Sequence, residues 1–346
     1  MKKTKFPLLL IRADTGRKIG AGHIMRCIAL SQEWKKHNGR VIFISNSSNS
    51  KLNSRITSNG FQLINLETSH PDREDIASTL SIIKETGADT IVVDGYHFNE
   101  AYHNALKNQG VKRVIIDDYN HLPFYNTDIL INQNLGAEKF KYATSPATIK
   151  LIGKDYIMLR DEFLENSHSG NNTPLKAEKI LVTMGDSDPG NTTLKVIKSL
   201  NILKMKNLKI KIILGNGFSH RKTIEKELLY STFTHEIITD AHCMPKLMKW
   251  ADMAVSASGS TSWELCFMGI PGIYLVNADN QKKIASALHK YNAGINAGWH
   301  NTVSHKELAP VIEKLINSPK KRENLFQNGK ALIDGMGRKR INSVIN

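Results

Sequence analysis

Short apolar runs and helical spacings alternate along the chain from its first residues. Leu8 to Ile11, Val41 to Ile44, Phe61 to Ile64, Thr90 to Val93, Val114 to Ile116 and Ile129 to Ile131 are rich in Val, Ile and Leu and read as buried strands. Between them the apolar spacing predicts helices over 23–37, 73–86 and 99–109. Strands alternating with helices build βαβ units on a mostly parallel sheet. A polar stretch rich in Ser, Asn and Gly, from Glu165 to Pro174, then interrupts the pattern and reads as a linker. Beyond it the alternation resumes, with strands at Ile180 to Met184, Ile210 to Leu214, Ile237 to Thr239, Ala254 to Ala257 and Ile273 to Val276. Helices are expected near 191–203, 219–229, 244–250 and from about 261. The expected organisation is two α/β domains in tandem, 1–165 and 179–346, joined by a linker over 166–178 and leaving a cleft between them.

Composition narrows the class without naming a function. At 346 residues, with 40% hydrophobic and 23% charged positions, the chain suits a globular protein with a sizeable core in two domains. The three cysteines, Cys27, Cys243 and Cys266, form no close pair, which argues against a disulfide or zinc framework and for a reducing compartment. Met1 to Lys5 resembles a signal n-region, but Arg12 and Asp14 interrupt the apolar run behind it, so we read that run as the first strand. No segment approaches the roughly 18 apolar residues of a membrane span, and the expected location is the cytoplasm with no membrane partner. The net charge of +15 is dispersed in short clusters, such as Lys320-Lys321-Arg322, with little aromatic interleaving. A nucleic-acid binder would gather that charge in one stripe, so solvated faces and a preference for anionic ligands are the expected reading.

In open α/β sheets the chemistry lies in loops beyond the carboxyl ends of strands. The first such loop carries Arg12, Asp14, Gly20, Gly22 and His23 and opens a helix. Paired glycines permit a tight turn and close ligand approach, and a histidine at a helix start is expected to stay uncharged, as a general base must. The other reading is a structural turn with His23 as a polar residue beside the helix start. Arg26, three residues on, shares the face of His23 and either binds an anion or pairs with a carboxylate. Asp94 and Tyr96 follow the fourth strand and either position a small ligand or serve structurally. In the second half, Gly185 opens a loop in which Asp186 and Asp188 form a D-x-D pattern, read as helix-start capping by Asp188 and Asn191 rather than as a metal site. Ser256 to Glu264 follows a strand, turns through small residues at Ser258, Gly259, Ser260 and Thr261, and enters a helix whose free N–H groups can hold a phosphate or diphosphate. Glu264 either accepts hydrogen bonds from ribose hydroxyls or sits on the surface.

With these residues in place the chain resembles the UDP-sugar hydrolases of the pseudaminic acid pathway, within the wider GT-B nucleotide-sugar enzymes. Leu10 to Asp14 with Gly20 to Arg26 is similar to their N-terminal signature, and Val93 to Tyr96, Ile116 to Tyr119, Asp128 to Asn134 and Tyr156 to Phe163 match further stretches. Met244 to Met248 looks like the segment that meets the uracil ring, Gly259 to Glu264 like the diphosphate and ribose loop, and Asn280-Gln281 like a later Asn-Gln pair. Asp186 and Ser258 depart from the pattern by standing where glycine is usual. The resemblance implies a GT-B-like α/β fold, with two Rossmann-like domains facing each other and the last helix packing back on the first. It implies hydrolysis of UDP-2,4-diacetamido-2,4,6-trideoxy-β-L-altropyranose by a monomer, with no metal or other cofactor. His23, Asp14 and Tyr96 are then the expected catalytic set, and Arg12, Gly20, Gly22, Arg26, Asp94, Asn280 and Gln281 the expected sugar contacts. Gly185, Met244, Ser258, Gly259, Ser260, Thr261 and Glu264 are the expected UDP contacts. The competing readings are a GT-B glycosyltransferase and a non-catalytic basic protein that binds nucleotides or nucleic acid.

Overall fold

The computed structural model describes residues 6–14, 21–47, 49–167, 173–239, 241 and 243–346. The chain divides into two compact units, Met1–Asp161 with Gly335–Asn346, and Glu162–Asp334. The first contains β1 (Leu8–Ala13), α1 (Gly22–Lys36), β2 (Arg40–Ser45), α2 (Ser50–Ser58), β3 (Gln62–Asn65), α3 (Arg73–Thr86), β4 (Thr90–Asp94), α4 (Glu100–Ala105), β5 (Lys112–Ile116), β6 (Ile129–Asn132) and β7 (Ile149–Ile152). A short α5 (Asp161–Leu164) spans the boundary. All pairings are parallel, in the order β3-β2-β1-β4-β5-β6-β7. Every residue of β1 and β4 is buried, because helices cover both faces of a parallel sheet and leave no polar side to alternate with. Local chemistry sets the helix ends. Asp72 caps α3 by accepting from the Glu74 N–H, and Gly87 stops it in the left-handed conformation.

The second unit contains β8 (Lys179–Thr183), α6 (Thr192–Leu203), β9 (Lys209–Leu214), α7 (Arg221–Leu228), β10 (Thr234–Thr239), α8 (Met244–Trp250), β11 (Met253–Ala257), α9 (Thr261–Met268), β12 (Gly272–Val276), α10 (Gln281–Lys290), β13 (Ile295–Trp299), α11 (His305–Ile316) and α12 (Pro319–Leu332). Its sheet is also parallel, in the order β10-β9-β8-β11-β12-β13. Ile180, Val182, Val255 and Ile273 from the central strands pack with Val196, Leu200, Leu308 and Ile312 from helices into its core. Ser304 and Glu307 form a reciprocal capping box at the start of α11.

The last helix, α13 (Gly337–Ile345), belongs to the first unit and not to the second. Ile341 and Ile345 enter the core built by Ile24, Ile28 and Val92. The Arg338 guanidinium is bound to Asp161 and stands 3.1 Å from Glu33. These burials hold the helix against α1 although most of its residues are polar.

In both sheets the strand order reverses once. The chain lays β1, β2 and β3 in one direction, then returns to set β4 on the free side of β1; the second sheet does the same at β8 and β11. At such a switch point the two loops part to opposite faces and leave a crevice at the carboxyl ends. The motifs around His23, Asp94, Gly185 and Ser258 to Glu264 each follow one of these four strands.

Candidate functional site

At the first switch point, α1 and the end of β4 bring four of the expected residues together. His23 lies in the first turn of α1, as expected, and its Nδ1 is 2.6 Å from Asp94 Oδ1. Asp94 is wholly buried. Burial works against its charge, but the Arg26 guanidinium and His23 outweigh that and hold the carboxyl well below the usual carboxylate range. An ionised carboxylate only accepts, so Nδ1 carries a hydrogen toward Asp94 and Nε2 is the ring nitrogen turned away from it. No described residue bonds Nε2. His23 is 6% exposed, and its ring meets Tyr96 edge to face with centroids 4.7 Å apart.

Arg26 ties the group together. Its Nε and Nη2 donate to the two oxygens of Asp94, each at 2.6 Å, and its Nη1 donates to Asp118 Oδ1 at 2.7 Å. Of the two roles open to Arg26 from its spacing, the carboxylate pairing is therefore occupied. Asp94 has its oxygens taken by His23 and Arg26 and no exposed surface. Tyr96 donates its hydroxyl to Asp118 and is partly exposed. Asp118 and Asn134, whose amide donates to Asp118 at 2.6 Å, were not among the expected site residues. The legible signal was their place just after β5 and β6, next in the sheet to β4.

Arg12 and Asp14 lie in a different cluster. Arg12 is fully buried in β1, bound to Asp14 and Asp75 and 4.7 Å over the Phe98 ring. Asp14 also accepts from the Asn46 N–H at 2.6 Å and lies 2.8 Å from His97 Nε2. Burial raises the Asp14 carboxyl, but bonds from His97 and Arg12 prevail and lower it. None of these bonds reaches His23. The structure thus places Arg12 as the buried counter-charge of two carboxylates and not as an exposed sugar contact, because a guanidinium without exposed surface cannot meet a ligand. It likewise separates Asp14 from the catalytic group in which it was expected. Gly22 begins α1, and Gly20 lies outside the described residues.

In the second unit, the helix starts that follow β8 and β11 differ in how they are capped. At α6, Asp188 accepts from the Thr192 N–H, the Thr193 N–H and the Thr193 hydroxyl at 2.8, 2.8 and 2.7 Å. That is the capping role expected of Asp188; Asn191 makes no side-chain cap. Gly185, at φ +89, supplies the turn out of β8 that a side chain would strain. At α9 no side chain caps the start; the Ser262 and Trp263 N–H groups donate to the Gly259 and Ser260 carbonyls, each at 3.0 Å, and the Gly259, Ser260 and Thr261 N–H groups have no described acceptor. Ser260 is exposed and Gly259, Thr261 and Glu264 partly so. Ser258, the residue that departs from glycine, turns its hydroxyl back to the Leu275 carbonyl at 3.0 Å and is fully buried, so it adds no bulk beside the loop.

The loops after β8, β11 and β12 are linked. Thr192 donates to Asn277 Oδ1 at 3.1 Å, and the Asn277 N–H donates to Gln281 Oε1 at 2.9 Å. That bond fixes the amide, and its Nε2 lies 3.7 Å from where a β-carbon on Gly259 would stand. Asn280 precedes it at the α10 N-cap, and Met244 opens α8 without joining these bonds. Among the described residues no cluster of three or more His, Cys, Asp or Glu could hold a metal ion, and no helix is long and apolar enough to cross a membrane.

Residues 179–341 match the glycosyltransferase family 28 C-terminal domain. Over 282 residues the chain is 26% identical to an uncharacterized protein of Methanocaldococcus jannaschii, covering 80% of this chain and 57% of that one. It is 24% identical over 341 residues to a spore coat polysaccharide biosynthesis protein of Bacillus subtilis, covering 97% and 96%. To the UDP-2,4-diacetamido-2,4,6-trideoxy-beta-L-altropyranose hydrolase of Campylobacter jejuni it is 23% identical over 286 residues, covering 82% and 96%. In fold it is similar to a glycosyltransferase of Rickettsia africae, with TM-score 0.67, 12% identity and 98% of both chains covered.

Proposed function

We propose that this chain, a relative of the UDP-diacetamido-trideoxy-altropyranose hydrolases within the GT-B superfamily, is a UDP-sugar hydrolase. Its substrate in this reading is UDP-2,4-diacetamido-2,4,6-trideoxy-β-L-altropyranose, and its products are the free sugar and UDP, for nonulosonic acid biosynthesis. The observation that carries the reading is the His23 ring with Nδ1 bound to Asp94 at 2.6 Å and Nε2 without a described partner. Nε2 takes a proton from water as the water oxygen bonds to the anomeric carbon, while the bond from that carbon to the diphosphate breaks and its electron pair leaves on UDP. Direct attack inverts the anomeric centre. The open start of α9 supplies N–H groups for the charge that grows on the leaving diphosphate. Glu264 and Gln281 are the proposed ribose and diphosphate contacts, and Tyr96, whose hydroxyl oxygen retains lone pairs while donating to Asp118, orients the water.

The test is turnover in isotopically labelled water. Label in the released sugar supports this route; label in UDP places cleavage at phosphorus and overturns it. The match of residues 179–341 to a glycosyltransferase domain supports a second reading, transfer to an acceptor hydroxyl. Absence of UDP release until an acceptor is added favours that reading.

A further inference from the structure

We infer that Asp118 is a positioning residue for His23, acting on the ring from two sides at once. The inference rests on the reading of His23 as the base, and it concerns a residue to which that reading gives no role. Asp118 sits at the end of β5, with its side chain 9% exposed. Its Oδ1 accepts from Arg26 Nη1 at 2.7 Å and from Asn134 Nδ2 at 2.6 Å, and its Oδ2 accepts from the Tyr96 hydroxyl.

Each of the first and last of these partners leads back to His23. Arg26 grips both oxygens of Asp94, and Asp94 takes the Nδ1 hydrogen, so one arm sets the tilt and tautomer of the imidazole. Tyr96 lays its ring edge to face against the imidazole at 4.7 Å and 78°, so the other arm blocks rotation about the Cβ–Cγ bond. The contacts close into a circuit of His23, Asp94, Arg26, Asp118 and Tyr96. Within it Asp118 joins the charged arm to the aromatic arm. A neutral residue in its place would leave Arg26 with a single counter-ion and remove the carboxylate to which the Tyr96 hydroxyl donates. Asn134 fixes the carboxylate from β6, which makes the circuit a property of three adjacent strand ends.

The consequence is a rate effect without a binding effect. A base displaced by about 1 Å loses on the order of 10²-fold in rate, whereas UDP contacts lie on other residues. The test uses the full chain and two readouts. In proton NMR, an imidazole N–H donated to a carboxylate gives a downfield signal, assigned to His23 by its loss in His23→Ala. In Asp118→Ala that signal is expected to broaden or move upfield, and kcat to fall by about 10²-fold with KM for the UDP-sugar unchanged. Asp118→Glu restores the carboxylate and is expected to recover part of both. A signal that stays in place in Asp118→Ala overturns the inference even if kcat falls, because a structural role alone then accounts for the loss. An altered signal with wild-type kcat overturns it too. A wild-type protein that releases no UDP sinks the hydrolase reading instead, and the NMR arm still reports whether Asp118 holds the ring.

Discussion

Removing the Asp94 carboxylate is expected to cost the first unit more than its lost contacts, because it strands a cation. In Asp94→Ala, Arg26 Nε and Nη2 lose acceptors at 2.6 Å and His23 Nδ1–H loses its own, in a place where Asp94 is 0% and Arg26 7% exposed. Breaking a buried ion pair by deleting one partner costs about 3–5 kcal/mol. Arg26 keeps Asp118 on Nη1 at 2.7 Å, so the expected loss is at the lower end, about 3 kcal/mol. For a unit of this size each kcal/mol moves the melting midpoint by about 2–4 °C, giving a drop of about 6–12 °C. Thermal unfolding followed by circular dichroism measures it. Arg26→Met combined with Asp94→Ala removes the stranded charge, while Asp118 keeps Tyr96 and Asn134 as donors. The double variant should therefore regain much of the single variant's loss. A single variant that melts within about 2 °C of wild type, or a double variant that loses the sum of both singles, refutes the account of Asp94 as the counter-ion of a buried guanidinium.

Two further outcomes follow from the same geometry. His23→Ala is expected to lower kcat by about 10²–10⁴-fold while leaving UDP affinity unchanged, whereas Glu264→Ala should weaken UDP binding by about tenfold or more, as loss of a charged hydrogen bond does; kinetics paired with calorimetric titration of UDP separate them, and the reverse pattern overturns the roles. His103 is 2% exposed and burial pushes its titration down to about 3, against about 6.5 in an unfolded chain. Between those values the unfolded chain takes up a proton and the folded one does not, so stability is full above about pH 6.5 and falls as pH drops toward 3. His103→Leu should flatten urea-derived stability between pH 7 and pH 5 by roughly 1–2 kcal/mol, and an unchanged difference would count against a neutral buried ring.

The alternation of apolar runs was enough to read the two parallel sheets, since β1, β4, β8 and β11 are buried on both faces and carry almost no polar interruption. Two of the four edge strands were not legible. β13 reads Ile-Asn-Ala-Gly-Trp and β7 Ile-Lys-Leu-Ile, edge strands that need little burial and so lack the apolar run. The site was legible residue by residue but not pair by pair. Asp94 is 71 positions from His23 and Asp75 is 63 from Arg12, so local spacing could suggest a charge but not its partner. For this reason Arg12 was expected as a sugar contact and Asp14 as a catalytic residue, and the bond between them and that from Arg12 to Asp75 were not foreseen. Asp94 was likewise named as a sugar contact and not as the partner of His23. The order of strands contains that information, because it makes the ends of β1, β4 and β5 neighbours.

The return of α13 to the first unit also bears on synthesis. Ile341 and Ile345 complete a core whose other members were made before residue 160, so the ribosome must pass through all of Glu162–Asp334 before those side chains exist. Until then α1 carries an uncovered hydrocarbon face, and Glu33 and Asp161 lack the guanidinium of Arg338. The nascent first unit is therefore left waiting, partly assembled, while the second is translated, and termination of translation anywhere after Asp334 but before Ile341 would leave it permanently short of its closing piece.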